Sequence, residues 1–447
     1  MKVIMLKAYF LGLALLCTAP LLAQVEPSAT GGVSASDDDS QMMVPPPLSG
    51  RAYPVAVGSE ARSNYLSGGL VFTTAHNDNV LTGQNSAPVS DETYAIEPTI
   101  MLERKIPRQM ETFSYSAGFT FYQKLSVLNA VNQNAAVDYE YRLTRHATVE
   151  VQDSFSQNSN AFNSANPFVV GGVSGSPDAP NNPVIAPFAS QIFNATSGRI
   201  GYQFSRSAMV GASGSYSLLH YGDGTQYSGL FNSDSKSGSG FLNRRLGGQQ
   251  YIGLIYQYSN TQTHPVETFT TTHTIFGFYT IYVKRVLSFS VVGGPQHFDS
   301  TQVNAPPATN WTPAISGSMG LQGRRTSLSA NYSRVVSGGG GLLGAYHSNN
   351  AGLSARWLIA KNWDAGVSGE YSIYKSVSPV PTAFNQGGHT ISGTASVQHL
   401  IGEHFNIQGG YSRLHQNYSG IAEVFRAPDS NREFISVSYQ FSRPLGR

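Results

Sequence analysis

Charged residues recur on the polar side of alternating apolar runs, and their spacing is what could carry chemistry here. In residues 94–103 the apolar Ile96, Ile100 and Leu102 alternate with Glu97, Thr99 and Glu103. The same alternation sets Asp138, Glu140 and Arg142 against Val137, Tyr139 and Tyr141, and Glu150 and Gln152 against Val149 and Val151. Arg199, Arg356, Asp364 and Glu370 hold equivalent positions further on. A carboxylate facing lipid is expensive, so a pleated strand that crosses a membrane would turn these groups inward. There they would either tune the passage of ions or stiffen the wall as a salt-bridge lattice, and the sequence leaves both open.

Other chemistry is hard to find. The eleven histidines are scattered, with no HExxH, no paired cysteines and no close His-x-His spacing, so no metal site is expected. No G-x-S-x-G lies on a strand-to-helix turn, and Gly338–Gly341 is followed by neither a helix nor a lysine that would make a phosphate cradle. No catalytic residue, no cofactor and no enzymatic activity are expected.

The elements that must position the charges are strands. Between Gln250 and Ser290, Ile252, Leu254, Tyr256 and Tyr258 share one face; a polar loop leads to Thr272, Thr274, Phe276 and Phe278, which alternate with His273, Ile275, Gly277 and Tyr279. Lys284-Arg285 then turns the chain tightly into Leu287, Phe289 and Val291. This period-two writing places alternate side chains on opposite faces. It recurs from Asn64 to Phe441 through about eighteen strands, with sixteen as the alternative, and the connections alternate long and short throughout. A meander crossing a membrane has two non-equivalent ends of this kind. A propeller would repeat every 40–50 residues with blade signatures and a solenoid would show shorter repeats; neither is present. The expected fold is an all-β, transmembrane, antiparallel up-and-down barrel with short periplasmic turns and long external loops.

Composition agrees. Charged residues are only 12% of the 447, about half the share of a soluble globular protein. After the first 25 residues no stretch is long and apolar enough for a spanning helix. A net charge of +2 without a basic face argues against nucleic acid. Residues 1–23 read as a secretory signal peptide: Lys2 and Lys7 precede an apolar run, and Ala19 and Ala23 frame a cleavage site. Leu16 before the single cysteine, Cys17, argues against a lipoprotein. Residues 24–62, with Asp37-Asp38-Asp39 and Pro45-Pro46-Pro47, read as a disordered periplasmic linker, either a spacer or a docking segment; the barrel would occupy 63–447.

The short turns gather cations: Arg104, Lys105, Arg108, Arg145, Arg206, Arg244, Arg245, Lys284, Arg285, Arg324, Arg325 and Lys361. They are expected to form a periplasmic collar against lipid headgroups. The connection 156–190 is the longest and carries one charge, Asp178; it would either fold into the lumen as a steric, apolar constriction or lie outside as a flap. Ser337–Leu343, rich in glycine, reads as a surface loop.

The segments YRLTRHATVEVQDSF, LQGRRTSLSANYSR, LIAKNWDAGVSGEYS and LIGEHFNIQGGYSRL resemble the hairpins of bacterial outer-membrane β-barrel proteins, of the β-barrel porin type found beside polysaccharide-export systems. The resemblance implies residence in the outer membrane, contact with its lipids, handling by the barrel-insertion machinery, and a polysaccharide or another hydrophilic solute as cargo. Such barrels commonly end on an aromatic residue; here Ser442–Arg447 extends past Phe441. The function expected is a water-filled pore for passive diffusion or export of small hydrophilic solutes or saccharides. The alternative is a non-conducting barrel that acts through its external loops.

Overall fold

A computed structural model of the chain describes residues 64–80, 88–158, 190–222, 230–247, 249–283, 286–302, 306–338, 341–377, 387–418 and 429–445. The expected signal peptide (1–23), the linker (24–62), most of the 156–190 connection, Lys284 and Arg285 lie outside the described residues.

Eighteen strands are described. In chain order they are β1 (Tyr65–Asn77), β2 (Asp91–Ile106), β3 (Gln109–Tyr122), β4 (Ala130–Arg142), β5 (Ala147–Asn158), β6 (Gln191–Ser205), β7 (Ala208–Tyr221), β8 (Asn232–Gly247) and β9 (Gln250–His264). The series continues with β10 (Thr268–Val283), β11 (Leu287–Gln302), β12 (Ala308–Gln322), β13 (Thr326–Gly338), β14 (Ala345–Ala360), β15 (Trp363–Ser376), β16 (Gly388–Ile401), β17 (Phe405–Tyr418) and β18 (Asp429–Pro444). Each pairs antiparallel with its sequence neighbours, and β1 also pairs with β18 from Tyr65↔Pro444 to Asn77↔Arg432. The sheet is therefore a closed barrel. The even count brings both ends of the barrel sequence to the short-turn side, where the Leu445 N–H donates to the Asn64 carbonyl at 2.8 Å.

The two faces follow from the alternation. Leu254, Ile275, Leu353, Val367 and Ile435 are more than half exposed on the outer face, within a belt that includes Tyr216, Phe289, Trp357 and Tyr439. An outward apolar surface on a closed sheet is the architecture of a transmembrane barrel. The inner face is joined by hydroxyl pairs across strands: Ser213 to Ser239 and Ser215 to Ser237 at 2.7 Å, Ser259 to Thr272 at 2.7 Å, and Thr280 to Ser290 at 2.8 Å.

Two features depart from the expected pattern. The polar loop within 250–290 is mostly strand: β9 runs to His264 and β10 restarts at Thr268, because Thr261, Thr263, Thr270 and Thr272 pair in register and β-branched threonine suits a pleated ladder. The inner face is also not polar throughout. Phe241, Ile255, Phe276, Phe278 and Val292 pack together on the inner side of β8–β11. Room for these rings comes from glycine on the neighbouring strand. Phe278 lies directly opposite Gly253, whose hydrogen occupies the place where a Cβ would meet the ring at 2.5 Å and also strike the Leu242 carbonyl oxygen. Phe434 covers Gly410 in the same way. Such cross-strand cover of a glycine by an aromatic ring pins the register.

Gly253→Ala is expected to destabilise the barrel by about 1–3 kcal/mol through overpacking. Gly198→Ala, whose Cβ would meet nothing within 4 Å, should change little. Urea unfolding of the refolded protein in detergent, followed by tryptophan fluorescence, distinguishes the two.

Candidate functional site

The barrel brings several of the expected inner charges together. Because β4 and β5 pair with Asp138 opposite Gln152 and Glu140 opposite Glu150, and β5 meets β6 with Glu150 opposite Arg199, one inner patch holds three carboxylates and two guanidiniums. Gln152 Nε2 donates to Asp138 Oδ2 at 3.1 Å and to Glu150 Oε1 at 2.7 Å. Arg199 Nη1 donates to Glu150 Oε2 at 3.2 Å, and Arg142 Nε stands 3.6 Å from Glu140 Oε1. A second patch lies on β14–β16: Arg356 grips Asp364 with Nε and Nη2, both at 3.0 Å, and Gln398 Nε2 donates to the same carboxylate at 2.8 Å.

Glu97, Glu103 and Glu370 stand apart from these patches. Glu97 is beside Ser116, Glu103 is near Lys105, and Glu370 is close enough to Tyr374 and Tyr418 for its charge to reach their hydroxyls. Of the ten charges, seven are carboxylates (Glu97, Glu103, Asp138, Glu140, Glu150, Asp364, Glu370) and three are guanidiniums (Arg142, Arg199, Arg356). These ten positions are acidic in balance, and Arg432 of β18, on the parity of Phe434 and Ser436, adds a further inner guanidinium.

The basic residues of the described turns all lie at the short-turn end. In chain order they sit at the β2–β3, β4–β5, β6–β7, β8–β9, β12–β13 and β14–β15 connections. Three follow the last apolar residue of an outer row by two positions, Leu143 and Arg145, Phe204 and Arg206, Ile359 and Lys361, while Arg104 and Arg244 lie between outer apolar residues, Leu102 and Ile106, Leu242 and Leu246. Arg245 Nη2 also donates to the Arg206 carbonyl at 3.3 Å, tying two turns together.

An element that reads in the sequence as a surface loop turns into the barrel and packs against distant strands. The β12–β13 ladder ends at Ile315↔Arg334, yet β13 runs on to Gly338 while paired with β14. Its last residues bend inward and approach β9, β10 and β11. Gln296 of β11 takes over as partner: its Nε2 donates to the Val336 carbonyl at 3.0 Å and its Oε1 accepts the Val336 N–H at 2.7 Å. A Cβ on Gly338 would press on Thr270 of β10 at 2.9 Å and Thr261 of β9 at 3.2 Å. Beyond the strand, Gly341 accepts a hydrogen bond from the Phe231 N–H at 3.0 Å and adopts φ 89°, a conformation that favours glycine. Leu342 then packs with Leu219, Tyr221 and Leu230 on one side and Tyr346, Tyr374 and Tyr418 on the other. The tip thus links β7 to β14–β17, strands far apart in the wall.

The signal for this element lay in two prolines rather than in the glycines. Pro295 and Pro313 face each other in β11 and β12, where neither can donate to a ladder. The β10–β11 pairing skips from Thr274↔Gln296 to Gly277↔Gly293 at the first, and the β12–β13 pairing stops just before the second. Among the described residues no group of three or more His, Cys, Asp or Glu side chains could hold a metal.

No family model matches the sequence, and no curated protein matches it. Among solved structures, the chain is similar to Pseudomonas aeruginosa OccK2 (OpdF), at 9% identity, with 85% of this chain and 98% of that one covered and a TM-score of 0.43. Acinetobacter baumannii OccAB4 is similar at 9% identity, 86% and 99% coverage, and a TM-score of 0.41. The ferric citrate transporter FecA in its unliganded form is similar at 12% identity and a TM-score of 0.41; 78% of this chain is covered, against 60% of that one.

The Arg356–Asp364–Gln398 cluster makes a direct prediction. Asp364→Ala leaves a guanidinium and an amide without their shared acceptor, and the loss of charge-assisted hydrogen bonds is expected to cost about 1.5–3 kcal/mol. Arg356→Ala combined with Asp364→Ala should cost less than the sum of the two single changes, as a double-mutant cycle in urea would show.

Proposed function

We propose that this protein is an outer-membrane pore for small hydrophilic solutes, saccharides among them, with a preference for cations, and that it is a channel rather than an enzyme. The observation that carries the reading is the closed eighteen-stranded wall whose outer face is apolar and whose inner face carries rows of hydroxyls and, at the ten positions named above, seven carboxylates and three guanidiniums. A barrel of this strand number is wide enough to enclose water. Carboxylates lining a water-filled channel favour cations by direct electrostatics, most strongly where the lumen is narrow. Serine and threonine rows supply exchangeable hydrogen bonds to a polyol, while the Tyr221, Tyr346, Tyr374 and Tyr418 rings are buried around the inward tip and hold it in place. The cationic turns, at or near the ends of the outer apolar rows, suit headgroups at the periplasmic side, where Arg and Lys stems lie along the apolar surface.

A second reading, a barrel that does not conduct, is favoured by the inward tip that joins β7 to β14–β17. Single-channel recording in planar bilayers separates the two. The pore reading expects discrete steps, a cation-selective reversal potential in a KCl gradient, and a larger step when residues 340–343 are deleted. Asp138→Asn, Glu140→Gln and Glu150→Gln together should move the reversal potential toward anions, since Arg142 and Arg199 then stand uncompensated. Steps absent both from the intact protein and from the tip deletion would overturn the pore reading.

A further inference from the structure

The outer face changes character at its long-loop end between β13 and β17. Arg334 (β13), His347 (β14), Lys375 (β15), His389 (β16), and Arg413 and His415 (β17) lie there on five consecutive strands. The alternation that turns Tyr332, Leu353, Tyr371, Ile391 and Tyr411 to lipid assigns all six to the same face. No carboxylate shares that face on these five strands, since Asp364 and Glu370 both have the inner parity. Elsewhere around the same end, outward histidines come with a carboxylate: His76 with Glu92 at 2.8 Å, His264 with Asp234 at 3.1 Å and His297 with Asp299 at 3.6 Å. The strip meets only Asp429, at its β18 edge, where Arg413 and His415 each approach the carboxylate at 3.1 Å. Arg334, His347, Lys375 and His389 have no ion pair with a described carboxylate.

The permanent cations stand on alternate strands, and each lies two positions beyond an outer apolar residue: Tyr332 and Arg334, Ile373 and Lys375, Tyr411 and Arg413. Exposed tyrosines at the edge of an apolar belt mark a membrane interface. Cations just beyond them therefore sit at headgroup level, with their stems on the belt and their heads among anionic groups. Neighbouring strands are about 4.8 Å apart, so Arg334 and Arg413, four strands from each other, are separated by about 19 Å along the wall. One phosphate cannot span that distance, whereas a headgroup with two separated phosphates engages both halves of the strip. Guanidinium matches phosphate bidentately, and the imidazoles between supply further ring N–H donors. His347 faces Lys375 across the ladder, with Arg334 on its other side. His389 stacks on His415 with ring centroids 5.3 Å apart, and Tyr371 flanks it at 6.4 Å.

We propose that this strip is a docking surface for a glycolipid of the external leaflet that carries phosphate at two points of its headgroup. Its acyl chains lie on the apolar belt of β13–β17, and its phosphates meet Arg334, Lys375 and Arg413 with the histidines between them. The surface is continuous with the lipid-facing wall and takes no part in the lumen, so it holds whether or not the barrel conducts.

The test titrates the full-length protein, in neutral detergent, with diphosphorylated lipid A, a disaccharide lipid with one phosphate on each sugar. Native mass spectrometry counts the lipid retained. Saturable retention is expected, with the monophosphorylated form held about tenfold more weakly for want of half its charge contacts. Arg334→Gln, Lys375→Gln and Arg413→Gln together should weaken retention by about tenfold, as the loss of three exposed charge contacts would. These side chains are exposed on the strand surface, and an unchanged thermal melt by circular dichroism shows that the triple variant folds. Arg145→Gln, Arg206→Gln and Lys361→Gln remove as many cations from the opposite end and should change retention little. Equal retention of the mono- and diphosphorylated forms, or equal losses in the two triple variants, would overturn the proposal. So would a deacylated disaccharide diphosphate that binds as tightly as the lipid, because the strip would then read a free saccharide phosphate.

Discussion

Hydrocarbon offers nothing for a peptide N–H or C=O to bond, and that constraint explains most of this molecule. A chain that is almost entirely strand can meet it only by closing on itself, which β1 and β18 do over thirteen paired residues. Closure then divides the side chains into two populations. One face must be greasy enough for lipid, and the other is released to carry charge and hydroxyls. The acidic patch on β4–β6 and the Arg356–Asp364 grip are consequences of that division, because the same residues on the opposite parity would face lipid at a cost of several kcal/mol.

The place where the rule is suspended is informative for the same reason. At the β12–β13 boundary the ladder stops, and freed groups next to the break find substitutes: a side-chain amide for Val336 and an asparagine oxygen for the Trp311 N–H, while Pro313 has no donor to satisfy. The bend this permits places the β13–β14 tip inside the barrel, where it touches β7 and the residues leading into β8 and packs among buried leucine and tyrosine side chains. Wall, break and inward tip therefore share one origin in the distribution of backbone partners.

Much of this was legible before any coordinates. The barrel, its eighteen strands and its short turns could be read because period-two alternation is a local signal that tertiary packing reinforces. Glu150 and Arg199 could each be assigned a face, but their apposition could not be read, since it depends on the β5–β6 register across a long connection. The rings of Phe276 and Phe278 share a face with Thr272 and Thr274, as the alternation read, but the sequence did not say that this mixed face is the inner one. Alternation fixes which residues share a face, while the glycines across the ladder decide whether a ring can lie there. The inward tip was missed altogether: Gly338–Gly341 looked like a solvated turn, and its partners Thr261, Thr270 and Tyr221 lie far back in the chain. Pro295 and Pro313 were the available clue, since paired prolines within two strand-like runs mark a ladder that must break.

The most direct measurement of the central claim is thiol accessibility along β15 and β16 in nanodiscs, one engineered cysteine at a time, after replacing Cys17 with serine. Inward positions Ser368, Glu370, Ser392 and Thr394 should react with a charged, water-soluble methanethiosulfonate. Outward positions Val367, Tyr371 and Ile391 should be protected from it and instead lie within reach of a lipid-borne quencher. Equal protection of both sets, the behaviour of a dry sandwich interior, or equal reactivity of both would contradict a lipid-facing cylinder around a wet lumen.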